Sequence, residues 1–286
     1  MKNIEISRLQ QHLEQLVGER NPRTSPQSLR AAGDLIAGHF ESIGLAVSRE
    51  EVPFDGTSFQ NIYGTQAGTE PERGAFIIGA HYDTVEGSPG ADDNASAVAA
   101  LLEIARCLQG IPLRVPLIFT GFTLEEYGFV GSRLMAERLR KDDANILGMI
   151  SLEMLGYRTR QPASQTYPPY IDPRNYPDTG DFIAVVGNEP SSRLTQALAD
   201  TLKQKTPALG VEHLLLPGRG DAFHEMRLSD HCPFWENDFK AVMVTDTAFF
   251  RNPHYHQPSD TVATLDLEFM RDIAAGLVSY LIDPAV

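Results

Sequence analysis

Apolar residues recur along this chain in two rhythms. Near the N-terminus, Ile6, Leu9, Leu13 and Val17 stand at helical spacing. "SPQSLRAAGDLIAGHFESIGL" follows with the same rhythm and reads as an amphipathic helix. Ser25 is placed to cap it, Pro26 suits its first turn, and Gly44 suits its end. "GAFIIGAHY" is a short apolar run and predicts a buried strand. "NASAVAALLEIARCL" predicts a helix rich in small residues, "VPLIFTGFT" a second buried strand, "GSRLMAERLRK" a helix and "ILGMISLEM" a third strand. Beyond these come the strand "DFIAVVG", the helix "SRLTQALADTLKQK", the strand "FKAVMVT" and a last helix, "LEFMRDIAAGLVSYL".

Strands that alternate with helices predict the α/β class, with a mostly parallel sheet covered by helices on both faces. Such sheets bind ligands beyond the carboxyl ends of their strands. His81 ends the first predicted strand, Glu125 and Glu126 follow the second, and Glu153 ends the third. All four therefore fall on one edge of one sheet. The segment from Tyr157 to Gly180 breaks the rhythm with prolines, tyrosines and polar residues. Proline bars a helix or a central strand there, so residues 157–180 are expected to form a lid or a pocket loop.

Composition narrows the picture. At 286 residues the chain is long enough for one sizeable core, and a single domain over residues 1–286 is expected. The net charge is −14. An acidic chain lacks the basic footprint that nucleic acid or an anionic membrane requires, so neither is expected as a partner. Two cysteines, Cys107 and Cys232, are too few for a disulfide scaffold and are read as reduced thiols. "MKNIEISRLQQHLEQLVGER" contains no apolar run, which argues against a signal peptide or membrane anchor and makes the cytoplasm the default location.

The candidate chemistry lies at the strand ends. His81, Asp93, Glu126, Glu153 and His256 are residue types that bind zinc and similar divalent ions. Each also has an ordinary reading: Asp92 and Asp93 as helix caps, "LEE" as an acidic turn, a histidine as a hydrogen-bonded side chain. Their shared address favours the metal. Five protein ligands exceed what one catalytic zinc takes, and they suit two metals that share a bridging carboxylate. Glu125 is then spare and is placed to act as general base, provided the chain turns so that both glutamates face one site. Asp83 can accept the second ring N–H of His81, or serve as a turn aspartate. Tyr255 can donate to an oxyanion. His254 rivals His256. "SDHCPFW", with Asp230 and His231, is either a pocket wall or a structural hydrogen-bonded unit.

At these residues the chain resembles a known family. "AHYDTV", "GADDNASA", "FTLEEYGFVGS", "SLEMLGY" and "NPHYHQPSDT" are similar, in order, to the five blocks of the co-catalytic zinc aminopeptidases. That family includes bacterial leucyl aminopeptidases and glutamate carboxypeptidase II, with glutaminyl cyclases related. The resemblance implies a three-layer zinc-exopeptidase fold and two divalent metals, zinc by family habit. It also implies peptide substrates with a free N-terminus. It makes His81 the first ligand with Asp83 as its orienting partner, and Asp93 the bridge, followed by a cis peptide. Glu125 becomes the general base, Glu126 a ligand and His256 the final one. Tyr255 matches a tyrosine that polarises the scissile carbonyl. The chain departs from the family at Glu153, usually an aspartate, and at Ala97, usually a glycine. Cyclases carry a serine-lysine pair where this chain has Thr84-Val85, so cyclase activity ranks behind peptide hydrolysis. A dipeptidase or carboxypeptidase is a further alternative.

Overall fold

The computed structural model describes residues 2–285. Among them lies one eight-stranded sheet. Its strands are β1 (Ala46–Phe54), β2 (Thr57–Gln66), β3 (Ala75–His81), β4 (Leu117–Phe122), β5 (Ile146–Glu153), β6 (Ile183–Asn188), β7 (Val211–Leu216) and β8 (Ala241–Thr245). Across the sheet they lie in the order β1-β2-β4-β3-β5-β8-β6-β7. The central strands β4, β3, β5 and β8 are mutually parallel. The sheet is mixed because β2 joins β4 antiparallel, and β6 joins β8 antiparallel.

The helices are α1 (Ile6–Leu16), α2 (Pro26–Ser42), α3 (Ala97–Leu108), α4 (Val130–Lys141), α5 (Ser192–Lys205), α6 (His231–Glu236) and α7 (Leu267–Leu281). Strand side chains alternate between faces, so one strand feeds two cores. In β3, Phe76 and Ile78 enter the core under α1, α2, α3, α5 and α7. Ile77, between them, enters a second core with Met135 of α4 and Phe234 of α6. This is the three-layer α/β/α arrangement.

Three strands lie outside those predicted from periodicity. β1 and β2 form a hairpin over Asp55 and Gly56, both at positive φ. Asp-Gly is the turn that such a hairpin favours, so the signal was in the sequence. β7 is an edge strand whose exposed Leu215 blurs its alternation. Ser25 does not cap α2 through its side chain; its hydroxyl donates to Glu19 at 2.8 Å instead. Nor do Asp92 and Asp93 cap a helix. They sit in a wide turn, Ala91–Ser96, ahead of α3. Both cysteines are buried and free. Among the described residues no helix is long and apolar enough to cross a membrane.

Candidate metal centre

The parallel strands end in register, with His81 beside Phe122 and Glu153 beside Thr245. That edge gathers the candidate ligands. Two groups have ligand atoms within 4.8 Å of one another: His81 with Glu125 and Glu153, and Asp93 with Glu126 and His256. Asp93 lies between the histidines. Its Oδ1 is 3.3 Å from His81 Nε2, and its Oδ2 is 3.1 Å from His256 Nε2. Glu153 Oε1 stands 3.5 Å from His81 Nε2, and Glu126 Oε2 stands 3.3 Å from His256 Nε2.

Both glutamates of "LEE" reach the site because the chain turns before them. Leu124, two residues past the end of β4, takes a left-handed φ of 60°. Asp83 fixes that turn: its carboxylate accepts the backbone N–H of Glu125 at 3.0 Å and of Glu126 at 3.2 Å. The glycines of "YGFVGS" follow the turn rather than make it. The expected bond from His81 to Asp83 is a looser charge contact, with Nδ1 3.6 Å from Oδ1. Met154, directly after Glu153, and His256 itself also hold positive φ. Left-handed conformations cost energy for residues with a Cβ and concentrate at functional sites.

The electrostatics describe a cluster short of cations. Burial, reinforced by Glu153 and Glu126, pushes Glu125 well above the usual carboxylate range. Burial and then Asp93 push Glu126 up to about 7. Burial raises Glu153 as well. Burial alone would lower His81, but Glu125 and Glu153 lift it well above the histidine range. Burial also opposes charge on His256, yet Asp93 and Glu126 raise it to about 10. Several buried atoms have no hydrogen-bond partner among the described residues: His81 Nε2, Asp93 Oδ1, Glu126 Oε1 and His256 Nε2. Buried polar atoms are nearly always satisfied, so orphans of this kind converging on one point fit a bound cation. Nitrogen and carboxylate donors without thiolate suit zinc, cobalt or manganese.

The model of peptidase family M28 matches residues 61–281 of the chain. The chain belongs to peptidase family M28. The uncharacterized protein YfbL of Escherichia coli is 35% identical over 280 residues, covering 91% of this chain and 83% of that protein. Aminopeptidase YwaD of Bacillus subtilis is 26% identical over 243 residues, covering 82% of this chain but 46% of its own length. LapA aminopeptidase of Legionella pneumophila has a similar fold, with a TM-score of 0.76 at 22% identity over 98% of this chain and 71% of that one. A glutaminyl cyclase of Bacteroides thetaiotaomicron reaches a TM-score of 0.71 at 16% identity, over 99% of both chains. Such identities speak for the fold alone, which cyclase and peptidase share. Family membership bears out the resemblance to the zinc aminopeptidases and the reading as a metal-dependent exopeptidase.

The remaining candidates of this M28 chain sort by position. Tyr255 stacks on His256, with ring centroids 3.7 Å apart, and burial followed by the nearby carboxylates keeps its hydroxyl protonated. His254 turns away to Ser259, with Nδ1 2.9 Å from Oγ. His231 is structural: its Nε2 lies 2.9 Å from the Met226 carbonyl, and its ring packs edge-on against Trp235. Trp235 is buried and donates to the Ala241 carbonyl, so that segment is not a pocket wall. Its first residue matters more, because Ser229 Oγ donates to Glu153 Oε2 at 2.7 Å.

Other supporting residues escaped the sequence reading. Asp260 accepts the backbone N–H of Asp92 at 2.8 Å and of Asp93 at 3.2 Å. Asn94 ties the same turn to the end of β5, donating to Leu152 and accepting from Met154. The Asp93–Asn94 peptide is cis, as the resemblance implies. Arg20, buried behind the site, donates to the carbonyls of Tyr82 and Gly90. Asp260 and Asn94 lie inside quoted blocks, but only contact with the partner element shows their use. The 157–180 segment is pinned to its surroundings, with the Thr166 N–H donating to the Phe250 carbonyl at 2.9 Å.

Proposed function

We propose that this chain removes N-terminal residues from peptides, using two divalent metals that share Asp93, with zinc the native ion. The observation that carries this reading is the split of one carboxylate between two histidines, Oδ1 at 3.3 Å from one and Oδ2 at 3.1 Å from the other. His81 and Glu153 would complete one site, and Glu126 and His256 the other. Glu153 supports this despite its extra methylene, because the Ser229 hydroxyl holds one oxygen and leaves the other toward His81. When bound, the metals would supply Lewis acidity to the scissile carbonyl and to water.

The chain's own residues do the rest. Glu125, buried within reach of His81 and Glu153, takes a proton from the attacking water and delivers it to the leaving amine. Asp83 keeps Glu125 in place through the turn it fixes. Tyr255 donates its hydroxyl to the carbonyl oxygen as charge develops there. The acidic surround favours the free amine of a substrate N-terminus. The cyclase alternative is less well supported, because Thr84 is buried and its hydroxyl already accepts the Arg20 N–H at 3.0 Å. A single catalytic domain, with residues 157–180 walling its pocket, completes the proposal.

The test is release of p-nitroaniline from a panel of unblocked amino-acid p-nitroanilides by metal-loaded protein. Release that stops when Glu125 becomes Gln supports the reading. Cyclisation of N-terminal glutamine peptides without hydrolysis would replace it with the cyclase.

A further inference from the structure

A cavity of about 80 Å³ opens beside Glu153 and Tyr255 and runs across the sheet toward its β7 edge. Its walls are apolar: Ala184 and Val186 of β6, Leu214 of β7, Met243 of β8, and Tyr167 and Ile171 of the 157–180 segment. Its far side is not. Glu212 lines it, on the same face as Leu214 because the two residues pair with Ala184 and Val186 in register. Glu212 is half-buried. Among the described residues it has no ion-pair partner, and no donor reaches its side chain. Tyr176, which also lines the cavity, is raised by burial and then by the nearby Glu212. Glu225, also lining the cavity, accepts from Tyr170 at 2.8 Å. Among the described residues no lysine or arginine lines this space; His213, next to Glu212, does.

A half-buried carboxylate without an ion-pair partner, at the end of an apolar passage, attracts a cationic group more strongly than it would in open water. A short aliphatic side chain would stop among the apolar walls and leave Glu212 as it is. Lysine and arginine have the matching build, an aliphatic stem that packs on apolar surface and a charged end. We propose that this cavity receives the first side chain of the substrate and selects a basic one, with the stem along Ala184, Val186 and Met243 and the cation at Glu212. This rests on the aminopeptidase reading and names its substrate class: peptides that begin with lysine or arginine.

Lysine and norleucine p-nitroanilides share one stem and differ in the ammonium group, so their ratio isolates Glu212. The metal-loaded protein should have a kcat/KM for lysine about tenfold or more above norleucine, the scale of one charge contact in a partly buried site. Arginine should also exceed leucine. Glu212→Gln should lower the lysine-to-norleucine ratio by about tenfold, and Glu212→Asp should keep part of the preference. Norleucine or leucine preferred by the unmodified protein would overturn the proposal while leaving the aminopeptidase standing. So would a ratio that stays within about twofold in Glu212→Gln, judged against that same tenfold scale. Release from no unblocked substrate would overturn both.

Discussion

Two buried glutamates of this molecule, one within α3 and one just past β4, are shifted in opposite directions. Glu103, on α3, is fully buried, and both its oxygens accept from Arg106 at 2.8 Å. Burial works against its charge, but His12 and Arg106 hold it down at about 2. Glu125 is almost as buried, and burial with its carboxylate neighbours pushes it far up. The difference is the partner. The sequence supplies Glu103 with its own cation three residues along the same helix. At the sheet edge Asp93, Glu125, Glu126 and Glu153 meet two histidines, and among the described residues no arginine or lysine forms an ion pair with them; Arg20 acts on Asp93 and Glu126 only from behind the site. A buried carboxylate that its own chain pairs is structural, and a group that the chain leaves unpaired is a candidate to hold a cation from outside.

That contrast can be broken in order of effect. Glu125→Gln should cost about a thousandfold or more in kcat while metal content by elemental analysis stays near that of the unmodified protein. A mutant that retains most of its activity would remove Glu125 from its role. Ser229→Ala frees Glu153 from its hydroxyl and should weaken metal binding by about 10–100-fold in competition with a chelator. Unchanged affinity would mean that Ser229 does not orient Glu153.

Glu103→Gln reads the other side. Breaking a buried pair costs about 3–5 kcal/mol, measured by denaturant unfolding, whereas activity per folded molecule should hold. Chelation should act in reverse: activity is lost, and melting falls because like charges are left facing one another. A chelated protein that melts unchanged would contradict a cation at the cluster.

The smallest effect is on pH. Glu103 has its folded value depressed to about 2, from an ordinary value of 4.5. Its stabilisation is therefore fully present above about 4.5 and lost as pH falls through about 2. The gap in melting temperature between the unmodified protein and Glu103→Gln should narrow over that window. A constant gap would show that Glu103 acts through packing rather than charge.

Much of the site was legible before the fold. His81, Glu125, Glu126 and Glu153 could be placed on one edge because each follows a recognisable buried strand. His256 could not be told from His254 by position, since both sit in one irregular loop. The β1–β2 hairpin carried its Asp-Gly turn signal, yet polar residues such as Arg49, Glu50 and Glu51 obscured the strand before it. Ser229 and Asp260 carry no local signal, because each acts on an element far away along the chain.

The sequence by itself determined the alternation of strand and helix, the strand ends that carry candidate ligands, and a count of candidate ligands from which two ions are proposed. Periodicity and residue type are local properties and survive without the fold. Only the tertiary structure decided that Asp93 divides its oxygens between two histidines, that Asp83 turns both glutamates inward, and that an unpaired Glu212 closes an apolar cavity. These depend on distances between residues far apart in the chain, which packing sets and spacing does not.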